Sequence, residues 1–327
     1  MTLRARMASV GLVLSLLVAL PVGSAAADKV TLRLDWILTG KHLPFYLALE
    51  RGYYEGENLQ IEIFQGQGSA TTVKLVGNKS DTFGYADASV VAVGISGGTP
   101  IKMVGGIARR SAVAIGYWAD SGITTPKTLE GRSLLVTPGT TESTILPALF
   151  AINQVDPQKV SLINVAAAAK IQAFLQKQAQ GMVGVSNSDI LVAAKESPNV
   201  KTMLLADYGV NLVAHGLIAH TDTIRTQPDL VRRFLRASRK GWAEAQKAPD
   251  DAVAAAMRRF PQSKPEVLKE QLVTGFEQLD SNRTKSKPLL WQSREDWEDT
   301  LAILSKYAGL KDAKPVQEYF TNELLPE

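Results

Sequence analysis

The feature that most constrains the fold is an alternation of short apolar runs with amphipathic runs between Lys29 and Thr221. The apolar runs are rich in Val, Ile and Leu, as β-strands are, whereas the amphipathic runs are typical of helices. This alternation indicates βα units that build largely parallel sheets. The predicted strands are Val30–Trp36, Leu59–Phe64, Thr82–Ala86, Ile101–Ile107, Ala112–Trp118, Ser133–Thr137, Val160–Val165, Gly181–Val185, Thr202–Ala206 and Val213–Ala219.

After Gln227 the apolar residues recur at 3.6-residue spacing, which predicts a helical C-terminal third. Asp, Ser and Pro stand at positions where they would cap these helices. A polar, Pro-terminated segment at 279–288 predicts a surface loop. The helical runs are 228–248, 250–260, 264–279 and 293–309.

Two Gly-punctuated segments, 113–131 and 206–220, have the character of crossings between two lobes. They divide the chain into a first lobe, residues 28–115 and 220–327, and an inserted second lobe, residues 116–219. Two crossings form a hinge, and a cleft lies between lobes joined in this way.

The first 27 residues have the pattern of a secretory leader: a basic start, an apolar stretch, Pro21 and an A-x-A site that predicts cleavage after Ala27. Without Arg4 and Arg6 the chain has 36 − 2 = 34 basic residues against 32 acidic ones. A net charge near +2 argues against nucleic acid as a partner. The chain contains no cysteine, which excludes disulfides, a thiol nucleophile and a lipidated cysteine. We expect a periplasmic, monomeric protein, with release into the medium as the alternative.

Small, polar and aromatic residues follow the predicted strands where helices begin. In open parallel sheets, ligands bind beyond these strand ends, near helix N-termini. Together the residues suit a small, partly polar ligand. The candidate ligand-binding residues are Asp35, Trp36, Thr39, His42, Gly68, Ser69, Tyr85, Asp87, Arg109, Gly139, Thr140, Thr141, Glu142 and Asn187.

Most of these residues also have a purely structural interpretation. Ser69, Asp87 and Thr140 are residue types that cap any helix. His42 could be a satisfied surface histidine, and Arg109 could be solvated rather than face an anion. His215 and His220 are far from His42 in the sequence, so a metal site is not expected.

The sequence offers little for catalysis. It contains no G-x-S-x-G elbow and no Walker loop, and "GISGG" at 94–98 precedes a strand, which is the wrong order for a dinucleotide fingerprint. We therefore predict neither a cofactor nor an enzyme. The alternative is a periplasmic enzyme that uses His42 with Asp35 or Asp87 as acid and base.

Four motifs carry a family resemblance: "DW…GKHLPFYLALERGYYEGENLQIEI", "FGYADAS", "GGTPIKMVGGIARRSA" and "TPKTLEGRSLLVTPGTTES". Residues 30–220 resemble the solute-binding proteins of ABC importers in the nitrate, sulfonate, taurine and thiamine-pyrimidine-precursor family. The resemblance implies an α/β, two-lobed periplasmic binding protein of type II, each lobe a mostly parallel sheet flanked by helices, with two hinge crossings. It also implies that the lobes close on a small-molecule solute and that the protein docks on a membrane permease.

The family includes an enzyme branch, the fungal thiamine-pyrimidine synthases, which carry a Cys-rich motif, and desulfinases of the same fold use a Cys nucleophile. Because this chain has no cysteine, neither chemistry transfers to it. The same site could also serve a sensor that presents its ligand to a membrane receptor.

The ligand class stays open between two alternatives. Asp35 and Trp36, followed by His42, resemble the pyrimidine-precursor branch, in which an aromatic face stacks on a heterocyclic ring and carboxylates accept from amino groups. A sulfonate, taurine, nitrate or other anion would depend instead on helix N-termini and an Arg. The acidic residues near the cleft favour the heteroaromatic ligand.

Overall fold

The computed structural model describes residues 26–326. Residues 1–25, which hold most of the predicted leader, lie outside this range, as does Glu327. Within it, no helix has the length and apolar character needed to cross a membrane.

Ten strands and twelve α-helices make up the described part of the chain. The strands are β1 (Asp28–Arg33), β2 (Leu59–Phe64), β3 (Phe83–Asp87), β4 (Ile101–Gly106), β5 (Val113–Trp118), β6 (Ser133–Val136), β7 (Ser161–Asn164), β8 (Gly181–Val185), β9 (Val200–Leu204) and β10 (His215–His220). The helices are α1 (Leu43–Glu50), α2 (Tyr53–Gly56), α3 (Ser69–Gly77), α4 (Ala88–Ser96), α5 (Thr141–Ile152), α6 (Lys170–Leu175), α7 (Asp189–Glu196), α8 (Thr221–Thr226), α9 (Pro228–Lys247), α10 (Pro249–Met257), α11 (Pro265–Gly275) and α12 (Arg294–Tyr307).

The strands form two five-stranded sheets with the same arrangement. The first has the order β2-β1-β3-β10-β4 and the second the order β7-β6-β8-β5-β9. β10 is antiparallel to both of its neighbours in the first sheet, and β5 is antiparallel to both of its neighbours in the second. β10 and β5 are the strands on which the chain arrives from the other lobe. The predicted α/β architecture of two mostly parallel sheets is confirmed, and each predicted strand is present.

The lobe boundaries differ from those expected from the sequence. β5 starts at Val113 and pairs in the second sheet, although the sequence placed residues up to 115 in the first lobe. β10 starts at His215 and pairs in the first sheet, although residues up to 219 were assigned to the second. The crossings are therefore 107–112 and 205–214. The antiparallel strands β5 and β10 have the same apolar composition as the parallel strands, so the sequence does not show which sheet each of them joins.

The C-terminal helices complete the first lobe. α9 packs against α1 and α2 through an apolar stripe that includes Leu230, Phe234 and Trp242. α12 contacts α4 of the first lobe and α5 of the second, and Thr300 Oγ1 accepts the Val213 N–H at 3.0 Å. α12 thus supports the second crossing from behind the cleft.

Candidate functional site

Two adjoining cavities lie between the lobes, at the ends of the parallel strands. The polar chamber, about 20 Å³, is lined by Asp35, Trp36, Lys41, Gly68, Ser69, Thr140, Thr141, Glu142, Val185, Ser188, Asp189 and His215. The apolar chamber, about 40 Å³, lies beside it and shares Lys41, Val185 and His215. Its other walls are Tyr85, Asp87, Ala108, Arg110, Ser111, Ala112, Val113, Asn187, Ala214, Trp242, Leu272, Gly275, Gln278 and Leu279. These small volumes show that the two lobes lie close together on either side of the cleft.

Asp35, just beyond β1, is the centre of the polar network in the first lobe. Its carboxylate accepts from Lys41 Nζ at 2.5 Å and from His42 Nε2 at 2.8 Å, and His215 Nε2 lies 3.0 Å from Oδ2. Burial would raise the pKa of Asp35, but Lys41 and the two histidines hold that pKa well below its usual range. The network therefore fixes an ionised carboxylate in a buried position.

His42 holds Asp35 from behind. Its Nδ1 accepts the Thr39 N–H at 3.1 Å, so the ring hydrogen is on Nε2, which donates to Asp35. The side chain is 0% exposed, and burial lowers the pKa of His42 to about 4 despite the neighbouring carboxylate. His42 is consequently neutral near pH 7.

Tyr85 and His215 form an aromatic wall of the apolar chamber. Their rings stack with centroids 5.2 Å apart. Asp87, at the end of β3, caps α4 by accepting the Ser89 N–H at 2.8 Å, and burial raises the pKa of Asp87. The wall therefore combines a flat aromatic surface with a hydrogen-bond acceptor.

A second buried charge network lies in the second lobe. Lys170, 0% exposed, donates to Glu142 Oε1 at 3.1 Å and to the Val183 carbonyl at 3.1 Å, and it contacts Asp189 Oδ2 at 2.7 Å. Burial would lower the pKa of Lys170, but Asp189 and Glu142 raise it, while Lys170 outweighs burial at Glu142 and lowers the pKa of that carboxyl. Two carboxylates share one ammonium, so the network carries a net charge of −1.

Trp36 links the two networks. It belongs to the first lobe, where its carbonyl accepts the Gly66 N–H at 3.0 Å, and its side chain is 8% exposed. Lys170 Nζ of the second lobe lies 5.1 Å from the centroid of the Trp36 ring, a cation–π contact. Closure therefore brings the indole against the second lobe.

The lobes also meet at two glycines. The Gly139 carbonyl accepts the Ala70 N–H at 3.1 Å, and a Cβ atom built on Gly68 would lie 3.0 Å from the same carbonyl. Gly68 has φ +124°, a conformation that other residues rarely adopt. A side chain at position 68 would therefore press against the Gly139 carbonyl of the other lobe.

We expect Gly68→Val to weaken binding of a cleft ligand by between about fivefold and a hundredfold, because the added side chain overpacks the closed interface. Gly98→Val is the matched control, since Gly98 also has a positive φ (+90°) but a Cβ there would meet nothing within 4 Å. Titration calorimetry measures both affinities. Equal affinities for the two variants would mean that Gly68 does not control closure.

The structure brings most of the predicted residues together. Asn187 and Tyr85 line the apolar chamber with Asp87, and Gly139 lies on the rim opposite Gly68. Thr39 and His42 lie behind Asp35 and support it. The residues that line the polar chamber are Asp35, Trp36, Gly68, Ser69, Thr140, Thr141 and Glu142.

Arg109 lies away from both chambers. Its guanidinium, in a side chain 5% exposed, donates to the carbonyls of Leu279, Pro288 and Trp291 and pairs with Asp280. It fastens the segment 279–291 to the first crossing, and its neighbour Arg110 lines the apolar chamber instead. The sequence could not separate these adjacent arginines, because which one faces the cleft depends on the path of the crossing.

Besides Arg110, the candidate set omitted three basic residues of the site, namely Lys41, Lys170 and His215. Lys41 and His215 meet at Asp35 although 174 residues separate them, and Lys170 follows an Ala-rich run without any chemical signal. A fully buried lysine is rare, so composition would assign Lys170 to the surface. The separation of His215 from His42 in the sequence was a poor guide, since both contact Asp35. Within residues 26–326 we find no cluster of side chains arranged to hold a metal ion.

Comparison with known proteins identifies relatives along most of the chain. Residues 39–252 match the sequence model of a family described as NMT1/THI5 like. The riboflavin-binding protein RibY of Chloroflexus aurantiacus is 24% identical over 322 residues, covering 94% of this chain and 88% of RibY. A formylaminopyrimidine-binding protein of Halalkalibacterium halodurans is 21% identical, covering 91% of each chain. A protein of Legionella pneumophila named 4-amino-5-hydroxymethyl-2-methylpyrimidine phosphate synthase is 22% identical, covering 93% of this chain and 94% of that one.

Solved structures share the fold. A protein of Bordetella bronchiseptica superposes with a TM-score of 0.75 at 18% identity, covering 91% of this chain and 96% of that one. The alkanesulfonate-binding protein SsuA of Xanthomonas axonopodis pv. citri, bound to MOPS, superposes with a TM-score of 0.70 at 11% identity, covering 93% and 99%. The two-lobed architecture is thus that of periplasmic binding proteins.

Proposed function

Because its family model matches most of the chain, this protein belongs to the NMT1/THI5-like family, and we propose that it is the solute-binding component of an ABC importer. It captures a small heteroaromatic solute, such as a pyrimidine-like compound, between its lobes. The observation that carries the proposal is the interlobe site itself, in which Trp36 and two buried carboxylate networks meet between the lobes.

The charges of the site support a neutral or hydrogen-donating ligand. Four carboxyl side chains, those of Asp35, Asp87, Glu142 and Asp189, outnumber the three lysine and arginine side chains of the site, Lys41, Arg110 and Lys170. Carboxylates accept from amino groups and repel bare anions. The names of two relatives, which refer to riboflavin and to a formylaminopyrimidine, agree with a heterocyclic ligand. A sulfonate, taurine or nitrate is the less favoured alternative.

Binding without turnover is the role that the geometry favours. His42, the candidate acid–base residue, is completely buried, and its two ring nitrogens are engaged by Thr39 and Asp35. It cannot reach a ligand in the cleft without breaking both contacts. We propose that the partner is a membrane permease and that the protein works as a periplasmic monomer.

Closure on the ligand can be measured by solution scattering. A ligand that binds only when the lobes meet shifts the population toward the compact form. We expect an aminopyrimidine ligand to reduce the radius of gyration of the refolded, solute-free protein. An unchanged radius at saturating ligand would contradict capture by closure.

Trp36→Ala is expected to weaken a ring-bearing ligand by about 1 kcal/mol or more, or at least fivefold, because the stacking surface is lost. The same change should matter little for nitrate. Trp118→Ala is the control, since Trp118 is similarly buried but stacks on Phe174 in the second lobe, away from both chambers. Affinities are measured by calorimetry, and unchanged binding in Trp36→Ala would remove this residue from the site.

A further inference from the structure

Helices α7 and α11 face each other across the cleft and exchange two ion pairs. Lys195 Nζ at the end of α7 pairs with Glu270 Oε2 of α11. Glu196 Oε1 accepts from Nζ of Lys264, the residue at the N-terminal boundary of α11, at 3.0 Å. Each helix contributes one cation and one anion, so the pairing is reciprocal.

A third contact between the lobes lies beside these two ion pairs, closer to the hinge. Asn187 Nδ2 donates to Gln278 Oε1 at 2.6 Å, and a Cβ atom on Gly275 would lie 3.3 Å from the same amide nitrogen. In each of these contacts one partner belongs to the second lobe and the other to the first. The contacts therefore exist only while the cleft is closed.

We propose that α7 and α11 form an electrostatic latch that stabilises the closed state and makes closure depend on ionic strength even for an uncharged solute. The four charged side chains are 40–66% exposed, so dissolved salt screens their attraction. Pairs exposed to this degree change an equilibrium by about two- to fivefold each. The inference deepens the proposed function, because capture by closure is the process that the latch assists.

The latch differs from the buried networks in its response to salt. Lys170, Glu142 and Asp189 are buried within the second lobe and remain paired whether or not the lobes meet. Lys269 of α11 pairs with Asp250 at 2.8 Å, and both residues belong to the first lobe. A change at Lys269 thus alters the charge of α11 without touching an interlobe pair.

The test measures the closed population without a ligand, so its outcome does not depend on the ligand class or on transport. Since the chain has no native cysteine, Glu62→Cys and Ser161→Cys place one spin label on an exposed position of each lobe. Pulsed electron resonance then gives the distribution of distances between the labels. We expect Lys195→Glu to lower the ratio of closed to open forms about two- to fivefold at low salt.

Adding Glu270→Lys to Lys195→Glu restores the reciprocal pair and should restore the ratio. Lys269→Glu should leave the ratio of closed to open forms unchanged. In the protein with Lys195 and Glu270 intact, 1 M salt should lower this ratio close to the value for Lys195→Glu. The proposal is overturned if Lys195→Glu leaves the distances unchanged, if the double reversal fails to restore them, or if Lys269→Glu has the same effect.

Discussion

Lys170→Met is expected to destabilise the folded protein by about 3–5 kcal/mol. The substitution removes the ammonium that Glu142 and Asp189 share and leaves both carboxylates buried without their cation. It also removes a donor to the Val183 carbonyl and the cation beneath the Trp36 ring. Urea unfolding at pH 7 measures the change in the free energy of unfolding.

Two variants establish the physical cause. Lys177→Met removes a lysine that is 65% exposed and also lies over a tryptophan ring, and it should change stability by no more than about 0.5 kcal/mol. Adding Glu142→Gln and Asp189→Asn to Lys170→Met removes the uncompensated charges and should recover much of the loss. A triple variant as unstable as Lys170→Met would show that charge compensation is not the role of this lysine.

Acidification from pH 6.5 to pH 4 is expected to remove about 3 kcal/mol of stability through His42 alone. The pKa of this imidazole is about 4 in the folded protein, against 6.5 as its ordinary value. Between these pH values the unfolded chain binds more protons than the folded one, so stability rises with pH. The contribution is complete above about pH 6.5 and is lost as the pH falls toward 4.

His42→Gln keeps a donor for Asp35 and does not titrate, so it should flatten the pH dependence in this range. The shifted pKa values of Asp35, Asp87 and Glu142 also act near the acid end of this range, but these carboxyls remain in His42→Gln, so the difference in slope between the two proteins measures the contribution of His42. Denaturant titrations at half-unit intervals measure the slope. A variant that retains the full slope between pH 4 and 6.5 would assign the acid sensitivity to another group.

The sequence predicted the helices and strands well because the spacing of their apolar residues follows from which side of each element is buried. β3 is buried along its whole length, and α9 hides a single stripe, so each carries a strong local pattern. The sheet that β5 joins is decided by long-range pairing, which local pattern does not encode. For this reason the strands were predicted while the crossings were misplaced by several residues.

The site residues that follow directly after predicted strands could be selected from the sequence. The residues that reach the site from distant elements could not. Asp35, Trp36 and Glu142 stand at strand-to-helix turns, which gave a reason to select them. Lys170 and His215 reach the site from other elements, and their roles depend on partners that are far away in the sequence. Arg109 had a suitable charge and position but points into the first lobe.

The most direct test of the central claim is a ligand-panel thermal shift on protein that has been unfolded and refolded to remove bound solute. A ligand at about 1,000 times its Kd adds about 4 kcal/mol, which raises Tm by several degrees. The panel comprises aminopyrimidines, a formylaminopyrimidine and riboflavin, set against taurine, alkanesulfonates and nitrate. We predict a shift with a heterocycle that is reduced in Trp36→Ala. A shift with the anions alone would contradict a ring-binding cleft and would assign the site to helix N-termini and Arg110.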